Sequence, residues 1–135
     1  VSAMNNALVT DLTRLEKAIV QLQKKLGLPV DHEGRREAVI QCFEFVVELS
    51  WKALKHFLKK VEEIEANSPK SVFREAFSIG WIDDEELLVS MLKDRNLSSH
   101  TYNEDLANEI LGRIPTYMPM IEKAFTELKR MAEND

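Results

Sequence analysis

The sequence predicts an all-α protein, an up-and-down bundle of four to five helices. Apolar residues recur at steps of three and four through most of the chain, the spacing of a helix face turned to a core. Leu, Glu, Lys and Ala dominate, β-branched runs are few, and only 4 Gly and 4 Pro break the pattern. At 135 residues, 44% hydrophobic and 30% charged, the chain suits one domain over 1–135 with an ordered core from about 8 to 128.

The elements follow in order. Leu8, Leu12, Leu15, Ile19, Leu22 and Leu26 alternate steps of four and three, forming the seam of a first helix that Gly27 and Pro29 stop. Val30 to Gly34 is a short connection, and His32 sits in it without a second ligand at metal spacing. From about Arg35 to Glu63 a long helix carries Val39, Phe43, Val47, Trp51, Leu54, Leu58 and Val61 on one face, widened by Phe45, Val46, Leu49 and Phe57. A helix this broadly apolar is packed on more than one side, centrally in the bundle and against another subunit. Lys52, Lys55, His56, Lys59 and Lys60 form a basic cluster at its C-terminal end, explained by the helix dipole or by an RNA-facing patch.

Ser68 before Pro69 reads as an N-cap with Pro at the first helical position. The short helix that follows turns Val72, Phe73, Ala76 and Phe77 inward and stops at Gly80, with Trp81 as a core plug. Asp83 with Glu86 resembles a capping box for a fourth helix. Asn103 is the expected N-cap of the last helix, so a break is expected near Ser98 to Tyr102. Leu106, Ile110, Ile114, Met118, Ile121, Phe125 and Leu128 form the final stripe, and Pro115 and Pro119 predict a kink or short loop within it.

The chemistry concentrates in Asp94-Arg95-Asn96-Leu97-Ser98-Ser99-His100-Thr101-Tyr102-Asn103. Helical steps from Leu88, Met91 and Leu92 land on Arg95, then Ser98 or Ser99, then Tyr102, so Arg95 falls where a core residue is expected. A guanidinium there either pairs with a carboxylate or points into a cleft where an anion can sit. Glu44 or Glu48 reaching across the bundle would orient it. The bland alternatives are a solvated Glu44, Glu48, Lys52 strip and an Arg95 paired with Asp94, Glu44 or Glu48. His100 lies five residues on, about 140° around an ideal helix, so the two side chains converge only at a helix end or beside a facing wall. His100 brings an imidazole, and Asn96 and Tyr102 add an amide and a phenol.

Arg95-Asn96-Leu97-Ser98-Ser99-His100 fits the motif of the HEPN superfamily, and Tyr102 supplies the trailing tyrosine of its HepT-like toxins. Phe43-Glu44-Phe45, Glu48-Leu49-Ser50-Trp51-Lys52, Ser68-Pro69 and Arg74-Glu75-Ala76-Phe77 resemble the nucleotidyltransferase substrate-binding protein-like branch of that superfamily, over about Leu8 to Leu128. The resemblance implies a small nucleotidyltransferase-fold partner, a homodimer or higher oligomer, and an RNA or nucleotide ligand. It also implies Arg95 and His100 as the catalytic pair of a metal-independent endoribonuclease, with Asn96, Glu44 and Glu48 supporting them. Tyr102 would be the residue that the partner modifies with AMP. The alternative is an inactive subunit that completes a partner nucleotidyltransferase by contributing substrate or nucleotide contacts.

The composition bounds these readings. A formal net charge of -5 denies the chain the global footprint of a nonspecific nucleic-acid binder, so RNA contact must come from a local patch or shaped cleft. Cys42 is the only cysteine, which excludes an internal disulfide and suits a reducing, cytoplasmic setting. No cofactor, metal site, signal peptide or membrane span is expected.

Overall fold

A computed structural model describes residues 3–133, so the outermost positions of the expected 1–135 domain lie outside the described residues. Five α-helices build the bundle: α1 (Ala3–Leu26), α2 (Arg35–Glu62), α3 (Pro69–Ser78), α4 (Glu85–Leu97) and α5 (Glu104–Glu133). A 3₁₀ turn, Ser98–His100, follows α4 directly. The described residues contain no strand, and no helix among them is long and apolar enough to cross a membrane.

Leu8, Leu12, Leu15, Ile19 and Leu22 are buried along α1, as their spacing predicts. Gly27 and Leu28 close the helix by bonding back to Gln23 and Lys25, and Arg35 donates from Nη2 to the Leu26 carbonyl at 2.9 Å. That guanidinium satisfies a C-terminal carbonyl of α1 from the first residue of α2, fixing the turn between them. Gly34 takes φ 78°, a left-handed conformation that lets α2 start abruptly.

Central placement explains the apolar breadth of α2, which packs against α1, α3, α4 and α5 within a single chain. Val39, Phe43, Val46, Val47, Leu54, Phe57 and Leu58 are buried, whereas Phe45 and Val61 remain exposed. Val61 lies in the last turn, on a helix whose final residue hands over to Glu63 at φ 57°. Three of the five members of the expected basic cluster are paired, and Lys55 and Lys60 are in no ion pair among the described residues. Lys52 pairs with Glu48, His56 with Asp11 and Lys59 with Glu65.

Ser68 caps α3 with Pro69 behind it, and the reciprocal partner is Ser71. The cap of α4 is Asp84, which accepts the Leu87 amide at 2.9 Å, and not Asp83. Asp83 stands one residue too early to reach that amide and pairs with Lys123 of α5 instead. Trp81 is buried, as expected of a plug.

Of the kink or short loop expected in α5, the loop is absent: the helix runs continuously through Pro115 and Pro119. The two prolines are one turn apart and both exposed, so the carbonyls they leave without amide partners lie along a solvent-facing strip where water can satisfy them. The inward stripe of Ile110, Ile114, Tyr117, Ile121 and Leu128 stays in register with the core.

Candidate functional site

The last turn of α4 separates two sets of side chains. Asp94 is 2% exposed. Its carboxylate accepts Arg113 twice, from Nε and Nη2, both at 2.8 Å, and accepts the Tyr117 hydroxyl at 2.5 Å. Because the carboxylate can only accept, Tyr117 donates to it, and Ser90 Oγ, 2.6 Å away, donates to Tyr117 in turn. The Tyr117 ring stacks on Phe43 with centroids 5.8 Å apart. Bidentate geometry raises the Arg113 pKa further above its already high value, chiefly through the hydrogen bonds to Asp94. Burial pushes the Tyr117 phenol up, and its bond to Asp94 adds to that shift.

This network corrects the expected continuation of the apolar stripe. From Met91 the buried positions run to Asp94 and Ser98, while Arg95 sits at the edge with 38% of its side chain exposed. Tyr102, expected on the same stripe, is 83% exposed. The reason is the turn after Leu97: once α4 gives way to the 3₁₀ turn, steps of three and four no longer track one face. Arg113 and Tyr117 were not singled out by the sequence, although Tyr117 falls on the Ile110, Ile114, Ile121 stripe, where a phenol requires a buried acceptor.

On the outer side, Arg95 Nη2 lies 3.9 Å from Glu48 Oε2, an ion pair too long for a hydrogen bond. Glu48 Oε2 also accepts the Trp51 indole at 2.9 Å, and Lys52 approaches Oε1 at 3.3 Å. The Trp51 hydrogen bond leads in holding the Glu48 carboxyl below its ordinary range, with Lys52 and Arg95 adding to it. Glu44 does not pair with Arg95. It lies 2.7 Å from the Ser98 hydroxyl, which is also 2.6 Å from the Arg95 carbonyl, its single proton serving one acceptor at a time. Glu48 and Glu44 of α2 therefore both hold the end of α4, the first through the Arg95 side chain and the second through Ser98.

His100 and Tyr102 meet beyond the break. The Tyr102 hydroxyl is 3.2 Å from His100 Nδ1, and the rings stand edge to face at 89° with centroids 5.7 Å apart. Both are exposed. No hydrogen bond joins Arg95 to His100 among the described residues, so one chain supplies the two groups on a common stretch without closing them on each other. Asn96 is exposed and its carbonyl accepts Ser99 Oγ at 3.3 Å. Asn103 caps α5 by accepting the Leu106 amide at 3.1 Å, fixing the far end of the turn.

The arrangement offers an exposed guanidinium for an anion, an imidazole for proton transfer, and a phenol against that imidazole. The family described as nucleotidyltransferase substrate binding protein like matches residues 10–130. The probable ribonuclease HepT of Haemophilus influenzae is 30% identical over 128 residues, spanning 89% of this chain and 86% of that protein. A Thermus thermophilus protein of known crystal structure superimposes with a TM-score of 0.79 at 40% identity, covering 84% of this chain and 98% of its own. A Haemophilus influenzae structure, described as the fold of a substrate binding domain of a nucleotidyltransferase, gives a TM-score of 0.65 at 28% identity, covering 93% and 98%. By sequence match and by fold, the chain belongs to the nucleotidyltransferase substrate-binding protein-like family.

Proposed function

We propose that this chain is the HEPN-type subunit of a two-component nucleotidyltransferase system, acting as a HepT-like endoribonuclease in homodimeric form with a small nucleotidyltransferase-fold partner. The observation that carries the reading is the exposed His100–Tyr102 contact five to seven residues after a solvent-facing Arg95. Two copies would bring their Arg95 and His100 residues to a shared groove. An RNA 2′-OH attacks the adjacent phosphorus, forming the 2′-O–P bond and breaking the bond to the 5′-oxygen. Neutral His100 takes the 2′-OH proton, and the imidazolium of the second copy, or a water, protonates the leaving oxygen. Arg95 neutralises charge building on the phosphoryl oxygens, its own orientation biased by Glu48.

Tyr102 gives the system its control point. In the partner's reaction the Tyr102 hydroxyl attacks the α-phosphorus of ATP, pyrophosphate leaves and the phenolic proton passes to solvent. The resulting phosphodiester replaces a hydroxyl that lies 3.2 Å from His100 Nδ1, so it crowds the imidazole and presents an anion where RNA phosphate would bind. Likeness to a nucleotidyltransferase substrate-binding domain supports a second reading, in which the chain cuts nothing and Arg95 and His100 hold a phosphate for the partner enzyme.

RNA cleavage by the purified chain in EDTA, beside Arg95→Ala and His100→Ala, separates the two. Cleavage that persists with chelator and vanishes in both variants supports the nuclease. Equal traces in all three proteins rule it out in favour of the binding subunit.

A further inference from the structure

A groove of about 600 Å³ opens between α3 and α4, within the range of about 300–1,000 Å³ for clefts that hold small ligands. Its floor is apolar and partly aromatic, made by Phe73, Phe77, Leu88 and Leu92. Lys70, Arg74 and Lys93 stand among its lining residues, against one carboxylate, Glu85. None of these three cations is in an ion pair among the described residues, as is also true of Lys55 and Lys60 on α2, but these three stand together over the apolar floor. In a chain of net charge -5, a locally positive groove over an aromatic floor is a departure from the surface average.

The groove also reaches the site already described. Leu88, Leu92 and Asn96 succeed one another by four along α4, so the strip that lines the groove ends one residue from Arg95. We infer that this groove seats unpaired nucleotides of a single-stranded RNA flanking the phosphate held at Arg95. Bases lie over the apolar floor, with half-buried Phe77 as the stacking surface, and the strand's phosphates face Lys70, Arg74 and Lys93. An aromatic floor with a cationic margin is how sequence-tolerant single-strand binding is built. The inference rests on the reading of Arg95 and His100 as the reaction site. It adds that the strand leaves that site along α3 and α4, and not along the lysines of α2.

Fluorescence anisotropy with a fluorescein-labelled, unstructured 12-nucleotide RNA tests it, using the full chain in the uncleaving His100→Ala background. Changing Arg74→Gln and Lys93→Gln together is expected to lower affinity about tenfold and to flatten the slope of log affinity against log salt by about 1.4, at about 0.7 per lost phosphate contact. Phe77→Leu keeps apolar volume while removing the ring. It is expected to weaken binding about fivefold with the salt slope unchanged. ATP should not displace the RNA.

Unchanged affinity in both groove variants overturns the inference, as does absence of RNA binding by the parent protein or displacement by ATP. Variants that alter only the sedimenting mass would give the groove to a second copy of the chain and also overturn it. The underlying reading fails separately: groove variants that weaken RNA while Arg95→Ala changes neither binding nor cleavage would keep the groove and remove the motif. Cleavage dependent on Arg95 and His100, with affinity indifferent to the groove, would do the reverse.

Discussion

Asp94 and Arg95 are neighbours in sequence and opposites in structure. The carboxylate is sealed inside the bundle with its acceptor capacity taken up by Arg113 and Tyr117, while the guanidinium beside it keeps 38% of its side chain in solvent and only a 3.9 Å partner. A helix turns about 100° per residue, so one position separates an anchoring group from a group free to meet a ligand. The inner set consumes its hydrogen-bonding capacity in holding α4 to α5. The outer set retains capacity, which is what binding and proton transfer need.

The comparison breaks most readily on activity. Arg95→Ala and His100→Ala should each reduce RNA cleavage by a factor of about 100 or more while moving the urea midpoint by less than about 0.5 kcal/mol equivalent. A large stability loss in either would mean that the outer set is structural too. Asp94→Ala should show the reverse weighting, costing about 2–3 kcal/mol in urea denaturation because it removes the charged acceptor of the buried Tyr117 hydroxyl, leaving it Ser90 alone, and frees Arg113. Arg113 is partly exposed and can rehydrate, which keeps the loss below that of a fully buried pair.

Tyr117→Phe sharpens the inner half, with an expected cost of about 1 kcal/mol near neutral pH. Its pH dependence has a defined sign. Burial raises the Tyr117 pKa above the ordinary 10.0, so its contribution is fully present below that value and is lost as pH rises through the higher folded value. The stability difference between wild type and Tyr117→Phe should therefore shrink in strongly alkaline urea titrations, and a constant difference would remove the phenol from the network. The smallest effect concerns the start of α4. Asp84→Ala should cost about 1 kcal/mol and Asp83→Ala less, and equal losses would contradict the cap assignment.

The helices were readable because apolar spacing and capping chemistry are local. Leu8 to Leu22, the Ser68-Pro69 start and the Asn103 cap all follow from residues within one or two turns. Glu48 as the partner of Arg95 was one of three carboxylates the sequence offered, with Glu44 and Asp94, and charge alone did not choose among them. The Asp94, Arg113, Tyr117 network was not readable, because it joins residues 19 and 23 positions apart through a turn whose geometry determines who meets whom. The prolines misled for a related reason. Their cost depends on whether the released carbonyls face water, and that is a property of the packed helix and not of the proline itself.

The same turn that joins α4 to α5 leaves the two helices fastened toward both ends of α4, by Lys123 to Asp83 before it begins and by Arg113 and Tyr117 to Asp94 as it ends. The fastenings are unequal, an exposed pair at one end and a fork on a sealed carboxylate at the other. Between them they fix the rotational setting of α4 about its own axis. A roll by a single residue would turn the sealed carboxylate outward and carry the guanidinium into the core. The sign of the charge that this edge shows to a passing polyanion is therefore set on the far side of the helix, by a residue that never touches it.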